Sequence, residues 1–122
     1  MTTSISRPDR RFQMWHYLVG HGTLLLRSTK SERFATRIDV LLKNVSAMHL
    51  LSTLEGLAIS VATDAESDEL RAAGWPQGTL ADRQVFVVRA AGFRGYVIAG
   101  LVTSHEDEGE YYSPSHFQHL LE

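Results

Sequence analysis

Apolar and polar residues alternate along much of this chain, as in strands that bury one face. The clearest case is residues 36–43, where Ile38, Val40 and Leu42 occupy every second position. Successive side chains of a strand point to opposite faces of the sheet, so this pattern predicts a half-buried strand. The residues expected on its solvent-facing side are Arg37, Asp39 and Lys43.

Other segments show the same alternation, or the runs of branched and aromatic residues that are typical of strands. They are residues 12–19, 23–28, 45–51, 57–61, 84–90 and 96–103. Glycines at 20–22 and 91–95 predict hairpin turns between neighbouring strands, and 55–56 predicts another turn. Residues 45–51 are also compatible with a helix.

One segment, residues 64–73, has the features of a helix. Thr63 and Glu66 have the spacing of a capping box, in which a hydroxyl and a carboxylate accept hydrogen bonds from free backbone N–H groups. The apolar face of this helix is thin, so we expect it to lie on the surface. Ser113 and Pro114 would suit the start of a short C-terminal helix.

These elements predict a β-rich α+β fold. About seven mostly antiparallel strands should form a curled sheet, a barrel or a sandwich, with the surface helix between strands five and six. The 122 residues are the size of a single domain. Residues 1–10 are mostly polar and are expected to be frayed.

Composition bears on the setting of the protein. The chain has no cysteine, which excludes disulfides, thiolate metal sites and a cysteine nucleophile, and favours a reducing cytoplasm. No apolar run approaches the roughly 18 residues of a membrane span. Polar residues interrupt 12–19, so this segment does not read as a secretion signal. We therefore expect a cytoplasmic protein that does not enter the membrane.

Charge is unevenly distributed along the chain. Residues 1–61 hold eight Arg/Lys and four Asp/Glu, whereas residues 62–122 hold four and ten. The two halves either pair within one fold or offer surfaces to a charged partner. Arginines with interleaved aromatics would suit single-stranded nucleic acid, but the acidic second half argues against that reading. Such a face would comprise Arg7, Arg10, Arg11, Arg27, Lys30, Arg33, Arg37 and Lys43, with Phe12, Trp15 and Tyr17.

Candidate metal ligands gather near the C-terminal end of the sequence. His116 and His119 are three residues apart and would share a helix face. No metalloenzyme motif accompanies them, so we expect neither a metal site nor a cofactor. The acidic run 106–110 lacks the spacing of a calcium loop and is expected to be a solvated loop. Other potential ligands nearby are His105, Glu106 and Asp107.

Two histidines and five aromatic residues are the candidate binding groups. His16 and His49 could line a ligand pocket in the curled sheet, since histidine can exchange protons near neutral pH. No motif of an activated nucleophile accompanies them. Large aromatics on the first strand or in predicted loops are typical of protein-binding surfaces. These residues are Trp15, Tyr17, Trp75, Tyr111 and Tyr112.

The sequence thus favours a small intracellular interaction or regulatory protein without catalytic activity. It would bind another protein and associate weakly with itself, through a sheet edge or the paired tyrosines. One alternative is a small-molecule binder or enzyme with a pocket in the curled sheet, and another is a nucleic-acid binder. A filled interior would favour the interaction protein. A cavity of several hundred cubic ångströms lined by His16 or His49 would favour the small-molecule binder or enzyme.

Overall fold

The computed structural model describes residues 4–75 and 82–121. Within these ranges the chain forms one antiparallel sheet of eight strands, in the order β4-β7-β6-β5-β1-β2-β3-β8. The strands are β1 (Ser4–Leu18), β2 (Thr23–Ser28), β3 (Arg37–Lys43), β4 (Ala47–His49), β5 (Thr53–Val61), β6 (Gln84–Ala90), β7 (Phe93–Ala99) and β8 (Leu101–Asp107). The helices are α1 (Asp64–Ala72) and α2 (Gln118–Leu121). The β-rich α+β class is confirmed, with α1 between the fifth and sixth strands.

The eighth strand arises because the predicted strand 96–103 breaks at Gly100. Residues before Gly100 belong to β7, which pairs with β4 and β6, and those after it belong to β8, which pairs with β3. A Cβ at this position would lie 3.2 Å from Cβ of Asn44, so the corner favours glycine. The corner joins β7, near one end of the strand order, to β8 at the other. The sheet is therefore curled, although it does not close.

The first strand begins earlier than expected. Residues 1–10 were expected to be frayed, whereas Ser4 already pairs with β5. The register between β1 and β5 shifts between Arg7 and Arg11. Gly56, with a φ of +79°, faces this bulge. The turn predicted at 55–56 is therefore wrong: both residues lie inside β5, opposite the bulge of β1, and glycine adopts the backbone conformation at position 56 easily.

The inside of the curl is filled with apolar side chains. The predicted inward set, Ile38, Val40 and Leu42, is confirmed as buried. Among the described residues, packed apolar side chains occupy this space. The buried cluster consists of Phe12, Leu24, Leu26, Ile38, Val40, Leu42, Val45, Leu54, Leu57, Ile59, Phe86, Val88, Val97, Ala99 and Val102.

Two segments cover parts of the outer face of the sheet. Helix α1 packs through Leu70 on residues of β6 and β7. Near the C-terminal end, Phe117 packs on Leu25 of β2 and Leu41 of β3. The second of these contacts positions the candidate site.

Helix α1 begins with the capping box that the sequence predicts. Oγ1 of Thr63 accepts a hydrogen bond from the backbone N–H of Glu66 at 3.2 Å, and Oε1 of Glu66 accepts one from the backbone N–H of Thr63 at 3.0 Å. Arg89 of β6 donates to the other carboxylate oxygen. The backbone bond from Thr63 is the largest cause that holds the pKa of Glu66 below its ordinary value.

We expect Thr63→Ala to lower the free energy of unfolding by about 0.5–2 kcal/mol, because it removes the cap. Because the folded-state pKa of Glu66 is lowered, its carboxylate stabilises the fold fully above the ordinary pKa of 4.5. This contribution is lost as pH falls through the lower folded-state pKa. The difference in stability between wild type and Glu66→Gln should therefore shrink below that pH. Urea denaturation at several pH values measures both effects. Equal losses in Thr63→Ala and Asp64→Ala would contradict the assignment of the cap.

Candidate functional site

Residues 110–117, here called the strap, cross the outer face of the sheet where the sequence predicts exposed charges. Arg37 and Asp39 are only 2% and 1% exposed, so the prediction that they face solvent is wrong. Lys43 at the end of β3 is half-buried. The alternation itself is correct, because these side chains do point away from the core. What the alternation could not indicate is that another part of the chain covers this face.

Arg27 of β2 and Asp39 of β3 form a bidentate ion pair in contact with the strap. Nε and Nη2 of Arg27 donate to the two carboxylate oxygens at 2.7 and 3.0 Å. Nη1 donates to the backbone carbonyl of Tyr111 at 3.1 Å, and the hydroxyl of Ser115 donates to Asp39 at 2.6 Å. The ion pair is thus satisfied by hydrogen bonds, as a buried pair must be, and it fixes the strap at two points.

Arg37 fixes the strap a second time. Its guanidinium makes two bonds of 3.1 Å to the carboxylate of Asp107. Its Nη1 also donates to the carbonyl of Ser113 at 2.7 Å, and Nη2 donates to that of Pro114 at 3.1 Å. Burial tends to raise the pKa of Asp107, but the bonds from Arg37 and from the backbone of Gly109 outweigh it and lower that pKa.

Only part of the acidic run is the solvated loop expected from the sequence: residues 108–110 follow β8, and Glu108 and Glu110 are exposed. Glu106 and Asp107 belong to β8, and hydrogen bonds from Thr36 and Arg7 hold the pKa of Glu106 below its ordinary value. Several acidic residues pair with cations of the N-terminal half, so part of the charge asymmetry is neutralised within the chain. The pairs are Arg7–Glu106, Lys30–Glu110 and Arg37–Asp107.

The strap holds two tyrosines against Trp15. The ring centroids are 5.1 Å apart for Trp15 and Tyr111, 5.9 Å for Trp15 and Tyr112, and 4.6 Å for the two tyrosines. Two of these contacts are edge-to-face, an arrangement that aromatic pairs favour. Tyr112 is nevertheless 83% exposed and Tyr111 41% exposed. These three side chains are called the aromatic ridge below.

A groove of about 220 Å³ lies beside the aromatic ridge. It combines aromatic and aliphatic walls with polar groups, and its one formal charge, on Arg27, is balanced by Asp39. Arg27 therefore brings no unbalanced charge to the groove. The lining consists of Trp15, His16, Leu25, Arg27, Tyr112, residues 113–115 and Gln118.

The structure separates Trp15 from Tyr17, which sequence alternation places on one face. The register between β1 and β2 shifts between Met14 and His16. This irregularity lets Trp15 pack on the outer face with Leu25, Leu41 and Phe117. Tyr17 instead packs against the buried cluster inside the curl. Of the five aromatic residues proposed to bind a partner, only the three of the ridge are brought together.

Trp75 and His49 lie elsewhere on the surface. Trp75 packs edge-to-face on Tyr96 at 5.7 Å, beside α1. His49 stacks on Phe93 at 5.7 Å and lines a separate surface groove of about 320 Å³. His16 lines the groove at the aromatic ridge. Both histidines are exposed, so neither reaches into the filled interior.

The proposed metal ligands of the C-terminal segment are only partly described. The rings of His105 and His116 stack at 3.7 Å, while the side chain of His119 lies outside the described part of the structure. Among residues 4–75 and 82–121, no group of three or more His, Asp or Glu could hold a metal ion. In the same ranges no helix is long and apolar enough to cross a membrane.

Internal bonds occupy several members of the basic set considered for nucleic acid. Arg10 is buried, and its guanidinium donates to the hydroxyl of Ser28 at 3.0 Å and to the carbonyl of Thr36 at 2.7 Å. The ring of Phe34 covers it at 4.1 Å. Burial is the main cause that lowers the pKa of Arg10. Since Arg27 and Arg37 are buried as well, the set does not form one exposed basic face.

The anchoring network under the strap was not predicted from the sequence, although one signal for it exists. Leu25 falls on the same outward side of β2 as Arg27, and Leu41 falls on the same outward side of β3 as Asp39. Strands that are apolar on both sides are usually covered on both sides. Those two leucines therefore indicated a covering segment, but not which segment provides it.

The arrangement is suited to binding. The aromatic ridge offers ring faces and hydroxyl groups to solvent, and His16 and Gln118 add polar groups at the groove. Comparisons of this chain with protein-family models, with curated proteins and with solved structures find no match.

Proposed function

We propose that this protein is a non-catalytic interaction module that binds a segment of another protein at the aromatic ridge and its groove. The observation that carries the proposal is Tyr112, whose side chain is 83% exposed on a strap that two buried arginines hold in place. The chain has no cysteine, and a reducing cytoplasm is the compartment we propose for it.

Exposed aromatic rings that are already held in place favour binding. Tyrosine and tryptophan bury a large area while immobilising few torsions, and both are enriched among residues that dominate binding energy. The bonds from Arg27 and Arg37 order the strap before a partner arrives. Less conformational entropy is therefore lost on association.

Shape also favours a segment of a partner protein over a small molecule. Pockets that enclose drug-sized ligands measure about 300–1,000 Å³, whereas the groove at the ridge measures about 220 Å³. It opens beside a tyrosine that stands largely in solvent. Such a shape can hold a few side chains of a longer occupant that continues across the ridge.

A photo-crosslinking amino acid at position 112 tests this proposal in the native cell. We expect a protein adduct from position 112 and none from position 101, because Leu101 is half exposed but lies at the Gly100 corner, on a different part of the sheet. With the captured partner purified, Tyr112→Ala should weaken binding at least about tenfold, and Leu101→Ala should leave it unchanged. Equal adducts at both positions, or unaltered binding by Tyr112→Ala, would overturn the proposal.

A second copy of the chain is the competing occupant of the ridge. Analytical ultracentrifugation at about 100 μM, in about 50 and 500 mM salt, separates charge-driven from apolar association. We expect at most weak dimerisation that Tyr112→Ala does not alter. A stable dimer abolished by Tyr112→Ala, together with adducts only between copies, would replace the partner protein by self-association.

A further inference from the structure

We infer that the segment bound at the groove is proline-rich and extended, in the polyproline II conformation. This inference rests on the function proposed above and adds the chemical class of the partner. It follows from three properties of the groove: its balanced charge, its aromatic walls and its side-chain donors that are unbonded among the described residues.

The charge of the groove matches an uncharged segment. The guanidinium of Arg27 is engaged by both oxygens of Asp39. The remaining polar lining comprises a histidine, serine hydroxyls and the amide of Gln118. A strongly charged segment would give up hydration without meeting an unpaired opposite charge, which is costly. A proline-rich segment carries no such charge.

The aromatic walls match pyrrolidine rings. Trp15 and Tyr112 both line the groove, with their ring planes tilted by 40° and their centroids 5.9 Å apart. Aromatic-lined grooves are the usual receptors of proline-rich segments, because flat rings pack on proline rings that are already fixed in shape. The ordered strap and the stiff ligand both reduce the entropy lost on binding.

The hydrogen-bonding groups match a ligand that mainly accepts. A polyproline II segment has no internal hydrogen bonds, and proline has no N–H, so its carbonyls need donors. The indole N–H of Trp15, the hydroxyl of Tyr112 and the amide of Gln118 can each donate. Within the described part of the chain, none of these three side chains makes a hydrogen bond to another group. They are therefore available to a ligand.

The two tryptophans allow a direct test by NMR, with Trp75 as an internal control on another part of the surface. The full chain labelled with ¹⁵N is titrated with a peptide of about ten prolines, and in parallel with a glycine–serine peptide of equal length. We expect the proline peptide to shift the indole N–H signal of Trp15 to saturation and to leave that of Trp75 in place. The glycine–serine peptide should shift neither.

Two variants separate stacking from hydrogen bonding. Tyr112→Ala should weaken proline binding at least about tenfold, and Tyr112→Phe should weaken it less, because it removes only the hydroxyl. Because Tyr112 is exposed, both variants should fold. An unchanged indole signal of Trp75 verifies that they do. A proline peptide that shifts neither indole, or both equally, would overturn the inference.

The crosslinking experiment tests the proposed function separately from the proline inference. If crosslinking at position 112 captures a partner but mapping finds no proline in the attached fragment, the proline inference is wrong and the interaction module stands. If position 112 captures no partner and the proline peptide does not bind, both are wrong.

Discussion

Asp39→Ala should lower the free energy of unfolding by about 3–5 kcal/mol, because it leaves the buried guanidinium of Arg27 without its counter-ion. Both side chains are 2% exposed, so water cannot readily replace the lost carboxylate. The same change also removes the acceptor of the Ser115 hydroxyl. Urea denaturation at neutral pH measures the loss.

Two further variants control for this result. Ser115→Ala leaves the ion pair in place but removes the bond to the carboxylate and the bond that the hydroxyl accepts from the backbone N–H of Phe117. It should cost about 1.5–3 kcal/mol, the range for hydrogen bonds to charged groups. Arg71→Ala breaks the exposed pair with Asp68 and should cost no more than about 1 kcal/mol. A cost for Asp39→Ala no greater than that for Arg71→Ala would show that the network under the strap does not stabilise the fold.

Phe12→Ala should cost a similar amount, about 3–5 kcal/mol, by lost apolar transfer energy and by the cavity left behind. The phenyl ring is fully buried in the curl and lies opposite Leu54 in the β1–β5 ladder. Val19→Ala is the control, because Val19 is 79% exposed and its loss should change stability by less than about 0.5 kcal/mol. Thermal or urea unfolding of both variants provides the comparison. Similar unfolding curves would contradict the position of β1 in the core.

The sequence predicts the inward face of the sheet well because period-two alternation is a local property of each strand. Ile38, Val40 and Leu42 needed no knowledge of the rest of the fold. The break at Gly100 was harder to predict, because the residues on either side continue a strand-like pattern. It depends on the close approach of Asn44, which only the folded chain provides.

The candidate site was harder to predict because it joins distant parts of the chain. Composition singled out Trp15, Tyr111 and Tyr112 as separate aromatic residues. Their proximity depends on the strap, which is anchored by backbone carbonyls bonded to Arg27 and Arg37. Backbone carbonyls leave no trace in the side-chain pattern, so these anchors could not be read from the residue types of the strap.

The way in which the strap is held has a consequence for local opening. Its anchors are side-chain bonds from Arg27, Arg37 and Ser115, whereas β2 and β3 are joined by a backbone ladder. Local opening of the strap with the sheet intact should therefore require less free energy than global unfolding. Amide hydrogen exchange should therefore be faster in the strap than in β2 and β3.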